Sequence, residues 1–164
     1  MLVIRDMRIE DVLQVSALVL RSFSAFIAPG LAEEGQAEIL NFARPENLAA
    51  RHATGHFTLV AEIDEELAGM IQVRCPSHVL MLYVDEKFHR RGIAQYLMQS
   101  AVEQIRLEYP EVELITVNSS TYAVTAYRRM GFEAISEELC KGGVVFTPMV
   151  LRLNTSGSGL GAEG

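Results

Sequence analysis

The sequence predicts an α/β protein with a mixed β-sheet, and three features of its pattern lead to this fold class. Apolar strands alternate with helices along most of the chain. Two apolar runs, 57–64 and 67–74, flank a polar turn at Asp64-Glu65-Glu66 and predict an antiparallel hairpin. A third run, 79–84, is apolar at every position, as expected of a strand covered on both faces, and leads through a basic glycine turn into a helix.

The first third of the chain predicts one short strand and two helical regions. Residues 2–5 form the strand, and a helix opens near Arg8 with two acidic residues in its first turn. Pro29-Gly30 ends this helix, whose buried stripe is Val12, Val15, Val19, Phe23 and Phe26. A second helical region, 32–53, is interrupted at Arg44-Pro45. Its apolar residues are sparse, so we expect it on the surface.

The remaining elements follow the glycine turn. A helix carries apolar residues at helical spacing and ends before Pro110; they are Ile93, Leu97, Ala101 and Ile105. Residues 112–118 predict a strand, after which Ser119 or Ser120 caps a helix that ends at Gly131. Residues 132–139 and 144–153 predict the last strands, and Pro148 indicates an edge or a bulge. The Gly/Ser-rich segment 154–164 predicts a disordered tail, which leaves one domain over 1–153.

Composition restricts the classes of function. No apolar run is long enough to span a bilayer and the N-terminus lacks a signal-peptide pattern, so we expect a cytoplasmic protein that does not bind membranes. A net charge of −7 and a pI near 5.1 argue against binding of nucleic acid. The two cysteines and four histidines lack the spacing of metal ligands, so no metal is expected.

The glycine turn has the chemistry of an anion site. The first turn of a helix presents unpaired N–H groups to an anion, and Gly92 allows close approach of the backbone. Lys87, Arg90 and Arg91 add positive charge in an acidic chain. The alternative is a connecting loop with solvated arginines. A nucleotide-binding loop is less favoured because the turn lacks Gly-Lys-Ser/Thr.

Two motifs identify a family resemblance. His89-Arg90-Arg91-Gly92-Ile93-Ala94 resembles the (Gln/Arg)-x-x-Gly-x-(Gly/Ala) signature of the Gcn5-related N-acetyltransferases, with His89 in place of the usual Gln or Arg. The stretch from Asn118 to Phe132 is similar to the later motif of that family, in which a helix of small residues ends in Tyr-x-x-x-Gly-Phe. The motifs occur in the family's order, and the resemblance spans about 2–153.

This resemblance implies a fold, an activity and a cofactor site. The fold is a mixed, mostly antiparallel sheet whose central parallel strands splay apart, with helices on both faces. The activity is N-acetyl transfer from acetyl-coenzyme A, the co-substrate, without a metal. The residues implied in its binding are Leu82, Tyr83, Val84, His89, Arg90, Arg91, Gly92, Ile93, Ala94, Gln95, Asn118 and Tyr127.

The resemblance also implies a catalytic residue. Tyr127 stands where the family carries the general acid that protonates the leaving thiolate, although the same position suits a core tyrosine. The base is left open between His78, Glu62 and a water relay. No cysteine suggests a covalent acyl carrier, so we expect direct transfer.

The acceptor is described only by class. We expect a pocket around Phe23, Phe26 and Ile27, and a small-molecule amine is favoured over a protein. Glu33, Glu34 and Glu38 either attract a cationic amine or form the solvated face of a helix. The alternative function is a non-catalytic coenzyme A-binding sensor or interaction module. The protein is expected as a monomer or a homodimer, and the last strand could pair at an edge.

Overall fold

The computed structural model describes residues 1–153, which form one mixed eight-stranded sheet with helices on both faces. The strands are β1 Leu2–Asp6, β2 His56–Ile63, β3 Glu66–Arg74, β4 His78–Val84, β5 Leu114–Ser119, β6 Glu133–Ala134, β7 Leu139–Lys141 and β8 Val144–Arg152. The helices are α1 Val12–Phe26, α2 Glu33–Phe42, α3 Pro45–Ala53, α4 Ile93–Glu108 and α5 Val124–Arg129. The predicted tail, 154–164, lies outside the described residues.

The predicted fold class is confirmed by the sheet topology. The strand order is β1-β2-β3-β4-β5-β8-β6, with β7 also paired to β8. All neighbours are antiparallel except β4 and β5, which run parallel with α4 as their crossover. The parallel pairing covers only His78 with Thr116 and Val79 with Val117, so the two strands separate beyond it.

Two apolar clusters hold the helices on opposite faces of the sheet. The predicted stripe of α4 is buried against one face; it consists of Ile93, Leu97, Ala101 and Ile105. The other face is covered by α1 and α3 through a second cluster that includes Val15, Val19 and Leu48. Phe26 is the exception in the predicted α1 stripe, because it is only half-buried at the helix end.

Two interpretations of single elements were wrong. The region 32–53 forms the helices α2 and α3, and Leu48 is 0% exposed, so α3 contributes to the core rather than lying on the surface. Of the two alternatives predicted for Pro148, an edge or a bulge, the edge is wrong, because β8 pairs with β5 on one side and with β6 and β7 on the other. The Pro148 carbonyl accepts from Ile135 N, so its missing N–H faces the break between β6 and β7, where no ladder bond is lost. Within residues 1–153, β8 therefore offers no long free edge through which two molecules could pair.

Among the described residues, no helix has the length and apolar character needed to cross a membrane.

Candidate active site

The parting of β4 from β5 opens a seam in the centre of the sheet. Their last paired residues are Val79 and Val117, and residues 80–84 continue along β4 without a partner on β5. On its other side β4 stays paired with β3 as far as Val84, except at Leu80, which has no opposite residue and forms a bulge. The seam therefore exposes one edge of β4 in the interior of the molecule.

The register shows which backbone groups face the seam. Asp85 N donates to Ala68 O at 2.8 Å, towards the β3 side. Hydrogen-bonding direction alternates along a strand, so Tyr83 and Met81 also bond to β3 while Leu82 and Val84 point into the seam. Within 1–153, the Leu82 N–H and C=O and the Val84 N–H have no strand partner. An extended ligand placed in the seam could pair with these groups as an added strand.

His89 bonds to the seam edge of β4. Its Nε2 lies 2.9 Å from the Val84 carbonyl oxygen, and Ser22 Oγ lies 3.5 Å from the same oxygen. This carbonyl is thus already bonded by the side chain that replaces the usual Gln or Arg of the motif. The N–H and C=O of Leu82 and the N–H of Val84 are still free to hydrogen-bond a ligand.

The glycine turn presents the N-terminus of α4 at the end of the seam. Gly92 is the N-cap with φ of +74°, and its carbonyl accepts from Tyr96 N at 3.1 Å. The N–H groups of Ile93, Ala94 and Gln95 precede this first helical bond and have no acceptor in the helix. Arg90 also has a positive φ of +68°, which curls the turn towards the helix end. These unpaired amides could therefore bind an anion.

The charges around the turn fit an anion. Arg90 and Arg91 are exposed, and neither forms an ion pair with any residue in 1–153. Lys87 differs from the prediction, because its Nζ is 2.7 Å from Glu66 Oε2. The turn is fixed to α1 by Arg21, whose Nη2 is 2.7 Å from Asp85 Oδ2.

The other predicted ligand-binding residues lie at different positions around the seam. The Ile93 side chain is buried in the α4 core, so only its backbone is available. Asn118 is exposed on β5, one residue beyond the last pair with β4. Gln95 is exposed and lines a separate groove of about 300 Å³ with Met98, Met130 and Leu151.

Tyr127 is a buried tyrosine near Tyr83 of β4. It is 6% exposed and packs edge-on against Phe132, with ring centroids 5.3 Å apart. Its hydroxyl makes no hydrogen bond to residues 1–153 and is not fully enclosed. Burial, followed by the proximity of Tyr83, raises the pKa of Tyr127 above its ordinary value. Burial also raises the pKa of Tyr83 to about 12. Both tyrosines therefore carry their protons at neutral pH.

An aromatic stack, defined as His89, Phe26 and Tyr122, covers the end of the seam. The Phe26 ring lies 5.3 Å from the His89 ring and 5.0 Å from the Tyr122 ring, with the latter pair inclined by 24°. It joins the end of α1 to the glycine turn and to the segment before α5. Tyr122 was not predicted, although an aromatic residue inside the second motif was a usable signal. Phe23 is 1% exposed and belongs to the core, so it does not line a pocket as predicted.

The two candidate bases have different surroundings. His78 lies at the closed end of the seam, where its Nδ1 is 2.6 Å from Thr116 Oγ1. Burial, and then the charge of Arg74, lower the pKa of His78 below its ordinary value of 6.5, so the ring is neutral at pH 7. Glu62 is on β2, two strands from the seam, where a hydrogen bond from Arg5 lowers the pKa of its carboxyl. Glu62 is thus a paired carboxylate away from the site.

The far side of the site is closed by α2 and the β7–β8 turn. A Cβ built on Gly35 would collide with the Gly143 carbonyl oxygen, so the two backbones are in direct contact. Glu38 of α2 reaches the same turn at Gly142. This contact holds α2 against β8.

The two cysteines lie away from the seam, and the potential metal ligands of the described residues do not form a cluster. Cys75 and Cys140 are free thiols, with Cys75 half-buried beyond the end of β3 and Cys140 exposed on β7. In the described part of the chain, no three His, Cys, Asp or Glu side chains are grouped so as to hold a metal ion.

Comparisons with known proteins agree with this geometry. The profile of the acetyltransferase (GNAT) domain matches residues 27–153. No curated protein matches the chain.

Solved structures of acetyltransferases share the fold. A GCN5-related N-acetyltransferase from Rhodopseudomonas palustris superposes with a TM-score of 0.78 at 22% identity, over 92% of this chain and 95% of that one. The PaiA N-acetyltransferase from Thermoplasma acidophilum, solved with coenzyme A, superposes with a TM-score of 0.78 at 18% identity, over 93% of this chain and 99% of that one. An aminoglycoside 6'-N-acetyltransferase, also solved with coenzyme A, superposes with a TM-score of 0.70 at 10% identity, over 92% of this chain and 96% of that one.

Proposed function

Since this chain belongs to the Gcn5-related N-acetyltransferase (GNAT) family and is an enzyme of that type, we propose that it transfers acetyl directly from acetyl-coenzyme A to the primary amine of a small molecule. The observation that carries the proposal is the open seam beside β4, which ends at the anion site of α4. A ligand with an extended amide arm and a pyrophosphate has the two chemical parts that these neighbouring features accept.

The residues present fit coenzyme A. The Leu82 C=O and the Val84 N–H are available to the amide arm, while Tyr83 fixes this edge by pairing with Met70 on β3. The pyrophosphate faces the amides of the glycine turn and two unpaired arginines, and Asn118 borders the same opening. The cradle residues are His89, Arg90, Arg91, Gly92, Ile93, Ala94 and Gln95.

The chemistry requires little from side chains. Acetyl-coenzyme A supplies a thioester, which is already activated towards an amine. The Leu82 N–H is the donor for the carbonyl oxygen as negative charge develops on it. Tyr127 gives its proton to the departing thiolate. The attacking amine must lose a proton, and the neutral ring of His78 or a chain of water receives it.

Two features support direct transfer to a small acceptor. Neither Cys75 nor Cys140 lies on the seam, so no thiol is available there as an acyl carrier. The contact between Gly35 and Gly143, together with the stack of Phe26 on Tyr122, narrows the approach from the acceptor side. A narrow approach suits a small amine better than a protein segment.

Calorimetric titration with acetyl-coenzyme A tests the proposal. We expect saturable binding that Arg91→Glu and Gly92→Asp both weaken by at least tenfold, because one reverses a charge and the other strains φ at +74° and adds an anion. The matched controls are Arg44→Glu and Gly30→Asp, which alter exposed sites away from the turn. Absence of binding by the unaltered protein, or equal weakening by the controls, would contradict the proposed site.

A further inference from the structure

Arg51 of α3 is a half-buried cation without a carboxylate partner in 1–153. Its Nε donates to Gln72 Oε1 at 2.8 Å and its Nη2 donates to the Phe42 carbonyl at 2.9 Å. Its Nη1 makes no hydrogen bond within the described chain and is not fully enclosed. The guanidinium thus keeps free donors and an unbalanced charge.

This guanidinium is held in a fixed position. Its central carbon lies 3.7 Å from the centre of the Phe42 ring, a cation–π contact. Gln72, its partner on β3, is 0% exposed and is itself fixed by donating to Thr58 Oγ1 at 3.0 Å. Burial lowers the pKa of Arg51, which reflects the cost of holding a charge there without a counter-ion. A rigid, unsatisfied cation is a binding group for an anion.

Arg51 lies on the face of the sheet opposite the glycine turn. Its Nη2 is 3.7 Å from Sδ of Met81, the β4 residue immediately before Leu82. Met81 packs in the cluster of α1 and α3, whereas Leu82 packs against the cluster of α4. An anion held by Arg51 would therefore be near the reacting carbonyl but on the side away from the coenzyme pyrophosphate.

The same face remains partly open beyond β4. Thr116 alternates along β5 with Ile115 and Val117, which are buried against α4, so its side chain lies on the opposite face. The side chains of His78, Leu80 and Thr116 are half-buried there, and Asn118 is exposed. This strip, between α3 and the contact of α2 with the β7–β8 turn, is where an acceptor has room to approach the seam.

We infer that Arg51 binds a carboxylate of the acceptor, so the acceptor is an amine that also carries a carboxylate, as amino acids do. A guanidinium binds a carboxylate through directed, charge-assisted hydrogen bonds. A chain of net charge −7 needs such a local cation to bind an anionic group beside its reaction centre. This inference rests on the proposed function and specifies its substrate class.

Matched pairs of acceptors test the inference. The initial rate of thiol release is measured for the free α- and ω-amino acids and for the carboxamide of each, at saturating acetyl-coenzyme A. We expect at least one amino acid to react with a kcat/KM more than tenfold above that of its amide. Arg51→Gln should abolish this preference through a higher KM for the acid, with the KM for acetyl-coenzyme A unchanged. Arg51→Lys should retain part of the preference because it keeps the charge.

Controls separate this inference from the function on which it rests. Arg44→Gln removes an exposed positive charge at the start of the same helix and should leave the preference intact. Equal rates for acids and amides, reaction of amides alone, or no reaction of any amino acid would each overturn the carboxylate inference. Failure of the unaltered protein to bind acetyl-coenzyme A would overturn the proposed function instead. The comparison of acids with amides uses the unaltered protein, so it can overturn the inference even if Arg51→Gln fails to fold, and Arg51→Lys then tests the role of the residue.

Discussion

At the scale of single residues, the proposed role of Tyr127 depends on a proton that stays in place until the thiolate forms. Its raised pKa keeps the hydroxyl protonated throughout the range of usual assays. We expect Tyr127→Phe to lower kcat roughly 100-fold or more, as for loss of a general acid, while the affinity for acetyl-coenzyme A stays within about twofold. We also expect kcat of the unaltered protein to show no alkaline decline up to pH ~10, the ordinary tyrosine value.

Tyr122→Phe is the matched control for this prediction. Tyr122 is 56% exposed and stacks on Phe26 through its ring, which the substitution keeps. The turnover of the Tyr122→Phe variant should remain near that of the unaltered protein. Full turnover by Tyr127→Phe would show that the thiolate leaves without this acid.

His78 and Glu62 differ in what their titration should do to the rate. The lowered pKa of His78 predicts an acid limb of kcat/KM below pH 6.5, if this ring accepts the proton of the amine. His78→Ala should remove or displace that limb, measured from pH 5 to pH 9. Glu62→Gln is the control and should leave the profile unchanged, because the Glu62 carboxylate is paired with Arg5. An unchanged profile for His78→Ala would leave the proton transfer to water.

Residue identities were predictable only where backbone chemistry dictates them. Gly92 was singled out because a glycine lets the backbone approach an anion closely, and the structure adds that it has φ of +74°, which glycine tolerates. The bond from His89 to the Val84 carbonyl and the pairing of Lys87 with Glu66 join residues from different elements. No local pattern predicts such pairs.

At the scale of elements, the two edges of β4 should respond differently to acetyl-coenzyme A. The amides of Met81 and Tyr83 bond to β3, whereas those of Leu82 and Val84 face the seam. We expect bound acetyl-coenzyme A to slow the hydrogen exchange of the Leu82 and Val84 amides at least tenfold. Hydrogen exchange followed by NMR measures this change. The amides of Met81 and Tyr83 are the internal control, because they are already protected without ligand. Equal changes at all four would indicate a general stiffening instead of pairing along the seam.

The contact of α2 with the β7–β8 turn depends on two glycines. Gly35→Ala should destabilise the fold by about 1–3 kcal/mol, as an overpacking change, because its Cβ would meet the Gly143 carbonyl. Gly30→Ala is the matched control, since nothing lies within 4 Å of a Cβ built there and its φ is not positive. Denaturant unfolding of both variants measures the difference. Equal free energies of unfolding would show that the two backbones separate at no cost.

At the scale of the whole molecule, the sequence predicted the order of the helices and strands better than it predicted which of them are buried. The period of Ile93, Leu97, Ala101 and Ile105 identified α4 and its buried face, because an amphipathic helix shows its burial in its pattern. The segment of α3 shows no such stripe, yet Leu48 is buried because α1 and β2 enclose it. Pro148 was misplaced for a similar reason, since only the partners of β8 reveal the break opposite its nitrogen.

Stability of the whole fold should depend on pH through one ion cluster, defined as Arg5, Asp11 and Glu62. It ties β1 to β2 and to the turn before α1, with Arg5 bonded to Asp11 at 2.8 Å and to Glu62 at 2.9 Å. The three side chains are only 16%, 11% and 25% exposed. Bonds from Arg5 lower the pKa of both carboxyl groups, against the opposing effect of burial.

The sign of the pH effect follows from those lowered pKa values. Carboxyls with a lower pKa in the folded state stabilise it above their unfolded values, near pH 4, and this contribution disappears as pH falls through their folded values. We therefore expect Arg5→Met to lower the free energy of unfolding by roughly 2 kcal/mol at pH 7 and by clearly less at pH 3. Arg44→Met is the control, because its pair with Glu46 is exposed and should contribute less than about 1 kcal/mol. Urea unfolding at the two pH values measures both variants. A loss for Arg5→Met that is equally large at pH 3 would mean that the packing of the arginine, rather than its charge, holds β1 on the sheet.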